Sequence, residues 1–140
     1  MRAVLDPNVL VSAVISPAGP PAQILQAWTD EQFELIASPQ LLNELDEVLK
    51  RRKFRRWIST QTASRYVEAL AEATTVIDDP APLARTSSDS NDDYLLALAR
   101  AAATDYLVSG DTHLTSLASS EPPILPPREF LDLLHASSRT

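Results

Sequence analysis

The sequence predicts an α/β fold with three layers, α/β/α, around a central parallel sheet of about five strands. Two observations predict it. Short apolar segments alternate with longer amphipathic ones, the rhythm of strand–helix–strand units. The short segments are also apolar along their whole length rather than at every second residue. Both faces of such strands must be covered, which is the condition of a parallel sheet.

Residues 2–5, RAVL, read as the first strand, and SPAGPP (16–21) as a loop. AQILQAWTDEQ then reads as a helix with Pro21 near its start, and FELIAS (33–38) as the second strand. Ser38-Pro39 is a helix start, with serine as the cap and proline at the first helical position. The helix LLNELDEVLKRR follows. Residues 59–73 are amphipathic, with Tyr66, Val67, Leu70 and Ala73 recurring at helical spacing. TTVID (74–78) reads as the third strand and DDPAPLARTSSDSN (78–91) as a loop. DDYLLALARAAA is a helix capped by Asn91 or Asp89. DYLVSGD (105–111) holds a fourth strand and PIL (123–125) a fifth. PREFLDLLHA closes the pattern as a helix with Pro127 at its start. There is no internal repeat and no break in composition. Residues 1–136 therefore read as one domain, and 137–140, SSRT, as a flexible tail.

Composition narrows the chemistry. Apolar residues make up 44% of the 140-residue chain and aromatics only 6%, so aliphatic side chains must fill the core. No 18-residue apolar run is present, so no membrane helix is expected. The N-terminus lacks the charged and apolar run of an export signal, and the chain reads as cytoplasmic. The absence of cysteine excludes disulfides, thiol nucleophiles and cysteine zinc sites. Two histidines, His113 and His135, are too few for a histidine-based zinc centre. Any bound metal would be held by oxygen, which favours Mg2+ or Mn2+.

Several acids lie where solvation does not explain them. In parallel α/β sheets, ligands bind beyond the carboxyl ends of the strands. Asp6 directly follows strand 2–5, and Asp111 follows YLVSG. Either could be a simple cap or turn residue. Glu44 lies at the edge of a helix stripe formed by Leu41, Leu42, Leu45, Val48 and Leu49, whereas Asn43, Asp46, Glu47 and Lys50 point outward. Asp92 and Asp93 open the next helix beside Asp89. One of them suits the helix dipole, leaving another for a different role. Together, Asp6, Glu44, Asp93 and Asp111 could meet at one end of the sheet. Four like charges are costly there unless a cation neutralises them. Such a centre suits phosphodiester hydrolysis, where a metal orients and deprotonates water and offsets phosphate charge.

Four blocks in order, LDPNVLVSAV (5–14), SPQLLNELDEVLKRRKF (38–54), DSNDDYLLALARAAATDYLVSGDTHL (89–114) and PPREFL (126–131), resemble the PIN-domain family. The branch they resemble is the VapC-like ribonucleases, toxins of type II toxin–antitoxin pairs. The resemblance covers nearly the whole chain. It implies a PIN-like three-layer fold, a magnesium or manganese centre, and cleavage of RNA. Carried over by position, it places the catalytic and metal-binding acids at Asp6, Glu44, Asp93 and Asp111. Asn8 matches the asparagine of the first motif and Ser109 the hydroxyl residue before the fourth acid. Asp89 and Asp92, from the acid-rich segment read above, are further supporting residues. Two positions depart from the family pattern. Pro7 replaces a threonine or serine, which removes a hydroxyl and an N–H from the acidic pocket. His113 stands where many relatives carry another acid.

The net charge of −7 argues against general affinity for nucleic acid, but its distribution is uneven. KRRKFRR (50–56) holds six of the twelve basic residues: Lys50, Arg51, Arg52, Lys53, Arg55 and Arg56. Basic residues at a helix end suit its dipole. These could also track RNA phosphates, with Phe54 or Trp57 stacking on a base, or dock an acidic antitoxin protein. The exposed faces of AQILQAW and of the 59–73 helix could support a homodimer, with Trp28 as a core or interface anchor. Phosphoacceptor signalling and haloacid-type phosphatase chemistry both require a lysine at a late strand end. Lys50 and Lys53 are the only lysines and both lie mid-chain, so neither class fits. The remaining alternatives are a non-catalytic PIN scaffold, which Pro7 keeps in play, and a housekeeping RNA-processing nuclease.

Overall fold

The computed structural model describes residues 1–80, 90–116 and 121–138; the side chains of 90–93, 113 and 138 lie outside the described set. The elements run β1 (Arg2–Leu5), α1 (Pro7–Ile15), α2 (Pro20–Thr29), β2 (Glu34–Ala37), α3 (Pro39–Leu49), α4 (Thr60–Ala73), β3 (Thr75–Val76), α5 (Ser90–Ala101), β4 (Tyr106–Val108), α6 (Thr112–Thr115), β5 (Ile124–Leu125) and α7 (Pro127–Ser138). The five strands form one sheet in the order β3-β2-β1-β4-β5, with every pairing parallel. This is the three-layer α/β/α architecture that the sequence predicts.

The three inner strands are apolar past their first residues because helices cover both faces. Val4, Ile36, Leu107 and Val108 are completely buried. The chain from β1 to β3 steps in one direction and then crosses back to β4. Right-handed crossovers therefore place the intervening helices on opposite faces. On one face α1 packs on α2 and α3, α2 on α7, and α3 on α4; α5 lies across β1 and β4. Phe130 of α7 is fully buried, meeting Phe33 edge-on at 5.3 Å between ring centroids and Tyr106 at 5.9 Å.

Three local features differ from the sequence reading. Residues 7–15 form a helix that the β-branched run VLVSAVI conceals. Its start signal was present: Asp6 caps the helix and Pro7 occupies the first turn, where a missing N–H costs nothing. α3 stops at Leu49 instead of continuing through the basic run. The Arg55 guanidinium folds back to donate to the carbonyls of Arg51 (3.0 Å) and Ile58 (3.1 Å), satisfying groups that a longer helix would have used. Finally, α5 begins at Ser90. Asn91 therefore stands inside the first turn rather than capping it, while Asp89 lies outside the described residues.

Phe130→Ala should cost about 3–5 kcal/mol of unfolding free energy, read by urea denaturation. A loss below about 1 kcal/mol would show that α7 is not part of the folding core.

Candidate functional site at the carboxyl edge of the sheet

β1 and β4 are neighbours, and Leu5 stands in register with Val108. The residues that follow them are thereby forced together. The Asp6 amide donates to the Val108 carbonyl at 2.9 Å, extending the ladder by one bond. The Asp6 side chain turns inward and is 4% exposed. Both carboxylate oxygens are held: Oδ1 accepts from the Asn8 amide at 2.9 Å, and Oδ2 from the Ser109 hydroxyl at 2.8 Å. The first bond is the helix cap of α1. The second ties the end of β1 to the end of β4.

Ser109 is itself completely buried. While donating to Asp6, its Oγ accepts the Asp111 amide at 3.0 Å. One hydroxyl thus fixes two of the predicted acids relative to each other. The Asp111 carbonyl in turn accepts from Leu114 at 3.1 Å at the start of α6. Burial pushes the Asp6 carboxyl above the ordinary carboxylate range. The Asn8 and Ser109 hydrogen bonds pull the other way without cancelling it, and the Asp111 charge pushes it further up.

Glu44 enters from α3. The buried stripe Leu41, Leu42, Leu45, Val48 and Leu49 anchors this helix, and Glu44 is half-buried at the stripe's edge. Its Oε2 accepts from the Tyr94 hydroxyl at 3.2 Å. Burial holds the Tyr94 hydroxyl far above its ordinary range, and the charges of Glu44, Asp6 and Asp79 add to this. Tyr94 therefore bonds Glu44 and lies within electrostatic reach of Asp6. Sequence reasoning missed both Tyr94 and Asp79. Asp79 follows β3 and accepts from the Gln40 amide at 2.9 Å, at the start of α3. The rule that picked out Asp6 and Asp111, an acid just past a strand end, would have found it too.

Asp92 and Asp93 stand in the first turn of α5, immediately before Tyr94. Their side chains, like all of Asp89 and the His113 side chain, lie outside the described residues. Among the described residues no three acidic or histidine side chains gather closely enough to hold a metal ion. The set expected from the sequence includes Asp93 as its fourth acid.

The basic run divides. Arg55 is bound to carbonyls as above, and Lys50 pairs with Asp46 at 2.9 Å. Arg51, Arg52, Lys53 and Arg56 are exposed. Arg56 lies 4.8 Å from the Trp57 ring and Lys53 5.1 Å from the Phe54 ring. The Trp57 side chain is 53% exposed. Trp28 is partly buried against the core. No helix among the described residues is long and apolar enough to cross a membrane.

A parallel sheet carrying carboxylates at its switch point defines the class of α/β proteins that act beyond their strand ends. The PIN domain matches residues 2–113, and the chain belongs to the PIN-domain family. Members are generally nucleases and typically use divalent metals. The chain is similar to the uncharacterized protein MJ1680 of Methanocaldococcus jannaschii, at 26% identity over 117 residues, which covers 84% of this chain and 75% of that protein. Its fold is similar to PAE2754 from Pyrobaculum aerophilum, with a TM-score of 0.62 at 16% identity over 96% of this chain and 89% of that one. It is also similar to a chain of VapBC2 from Rickettsia felis, solved bound to a DNA fragment from their promoter. There the TM-score is 0.61 at 17% identity, over 89% of this chain and 97% of that one.

The raised Asp6 pKa carries a stability prediction. The folded protein holds the Asp6 proton more tightly than the unfolded chain does. Asp6 therefore weakens the metal-free fold as pH rises from the ordinary carboxylate value through the raised one. Metal-free Asp6→Asn should match the native protein in acid and melt above it at neutral pH. A variant that melts lower at pH 7 would show that the buried charge is already compensated within the chain.

Proposed function

We propose that the chain is a divalent-metal-dependent endoribonuclease and the toxin of a type II toxin–antitoxin pair. The observation that carries the reading is the buried, doubly held Asp6 carboxylate, joined to Asp111 through Ser109 in a PIN-domain chain. The residues fit Mg2+ or Mn2+. The donors are all carboxylate oxygens, the chemistry these ions prefer, and a cation would offset the burial and repulsion that raise the Asp6 pKa.

When bound, the metal would polarise the phosphate and lower the pKa of its water. Asp6, Glu44, Asp93 and Asp111 would hold it. Ser109 keeps the Asp6 carboxylate turned into the site and sets its spacing from Asp111. Tyr94 orients Glu44. These contacts preorganise the donors, so less reorganisation accompanies the arrival of substrate. Pro7 supplies no hydroxyl, yet its place in the first turn of α1 is one that proline suits. The residue that favoured a non-catalytic scaffold thus has a structural reason to be there. Arg51, Arg52, Lys53 and Arg56 would track the RNA strand, with Trp57 beside them for a base to stack on. An antitoxin protein and a homodimer are the partners that accompany this reading.

Purified protein should cleave RNA with Mg2+ or Mn2+ and stop in EDTA. Asp6→Asn and Asp93→Asn should each abolish cleavage; turnover by either variant, or in EDTA, would defeat the assignment. Replacing Arg51, Arg52, Lys53 and Arg56 together by alanine should weaken RNA binding. The plot of log affinity against log salt should flatten by roughly 0.7 per lost phosphate contact. An unchanged salt slope would remove the basic run from the RNA path.

A further inference from the structure

The acidic centre leaves one neighbouring feature unused. Asp111 also lines a cavity of about 410 Å3 formed by segments that follow β1, β4 and β5. Its apolar lining residues are Val9, Pro21 and Pro127, and its uncharged polar ones are Asn8 and Ser12. These two are four residues apart on α1, so they share one face of the helix. Gly110 and Asp111 complete the lining. A Cβ on Gly110 would meet no atom within 4 Å.

The lining decides the class of ligand. Among the described residues it includes no cationic side chain and carries one carboxylate, Asp111, which makes it a poor site for a phosphate. Flat apolar walls with an amide and a hydroxyl, each able to donate and accept, suit a neutral ring with a polar edge. The volume is at the small end of the range for ligand sites, enough for a base and part of its sugar. Asp111 belongs both to the cavity and to the acidic centre, so an occupant would adjoin the reacting phosphate. We propose that this cavity receives the nucleobase of the nucleotide next to the scissile phosphate. The proposal rests on the ribonuclease reading and adds a base-recognition subsite to it. Val9, Pro21 and Pro127 enclose the ring, while Asn8 and Ser12 meet its edge.

The test is binding, read separately from hydrolysis. The probes are the four ribonucleoside 5′-monophosphates and ribose 5-phosphate, titrated into the full chain with Mn2+ by calorimetry. At least one nucleotide should bind about tenfold more tightly than ribose 5-phosphate, the modest gain of burying one base against apolar walls. Ser12→Leu keeps or improves helix propensity while filling the cavity. It should bring that nucleotide down to the ribose 5-phosphate level and leave Mn2+ affinity within about twofold of native. Ser12→Ala, which does not fill the cavity, should retain the preference. Should Ser12→Leu fail to fold, Ser12→Met fills the same space with a more adaptable side chain. Equal binding of all five probes, or a folded cavity-filling variant that keeps the preference, overturns the proposal. RNA hydrolysis on the same samples separates the two readings. Base preference without cleavage keeps the subsite and removes the nuclease; cleavage without base preference does the reverse.

Discussion

A single buried hydroxyl organises this molecule's functional edge. Ser109 donates to Asp6 and accepts from Asp111, so the ends of two adjacent strands become one polar unit inside an aliphatic core. A buried carboxylate is tolerable only when it is hydrogen-bonded; here the Asn8 backbone N–H and the Ser109 hydroxyl bond one oxygen each, which leaves further lone pairs for a cation. Even so, the burial is not fully repaid: the Asp6 carboxyl remains above its ordinary range. The protein therefore holds a charge in a place where it destabilises the metal-free fold, a situation more typical of a site kept for ligand binding than of a structural contact.

The topology explains why this happens at Asp6. β1 is the central strand, with β2 on one side and β4 on the other. The chain leaves β1 towards β2, and crosses back from β3 to β4. The connections diverge at β1, opening a crevice beyond its carboxyl end. α1 must start there, so an acid that caps it also faces the crevice. α3 brings Glu44 from the β2 side, and α5 brings Tyr94 across β1 and β4 to reach it. Asp111 also lines the cavity bounded by α1, Gly110 and Pro127.

Much of this was legible in the sequence because it rests on local rules. Apolar strands required two covered faces, and the sheet is wholly parallel. Ser38 followed by Pro39 marked a helix start, and the Ser38 Oγ does accept the Leu41 amide at 3.2 Å. The leucine stripe of α3 put Glu44 at a boundary, where it is half-buried. What escaped depends on contacts between distant segments. Nothing local marks Tyr94 as the partner of a glutamate fifty residues earlier, or Arg55 as a cap rather than a free cation. Helix α1 escaped for a different reason. Its β-branched residues contradict helix propensity, and burial against the sheet overrides that preference.

The central claim is that Asp6 holds an incompletely compensated buried charge which a divalent cation relieves. It is tested most directly by the 13C carboxyl resonance of Asp6, followed against pH with and without Mg2+. In the metal-free protein this group should titrate above the ordinary carboxylate range, and Mg2+ should lower its midpoint. An ordinary midpoint that Mg2+ leaves unmoved would contradict the account.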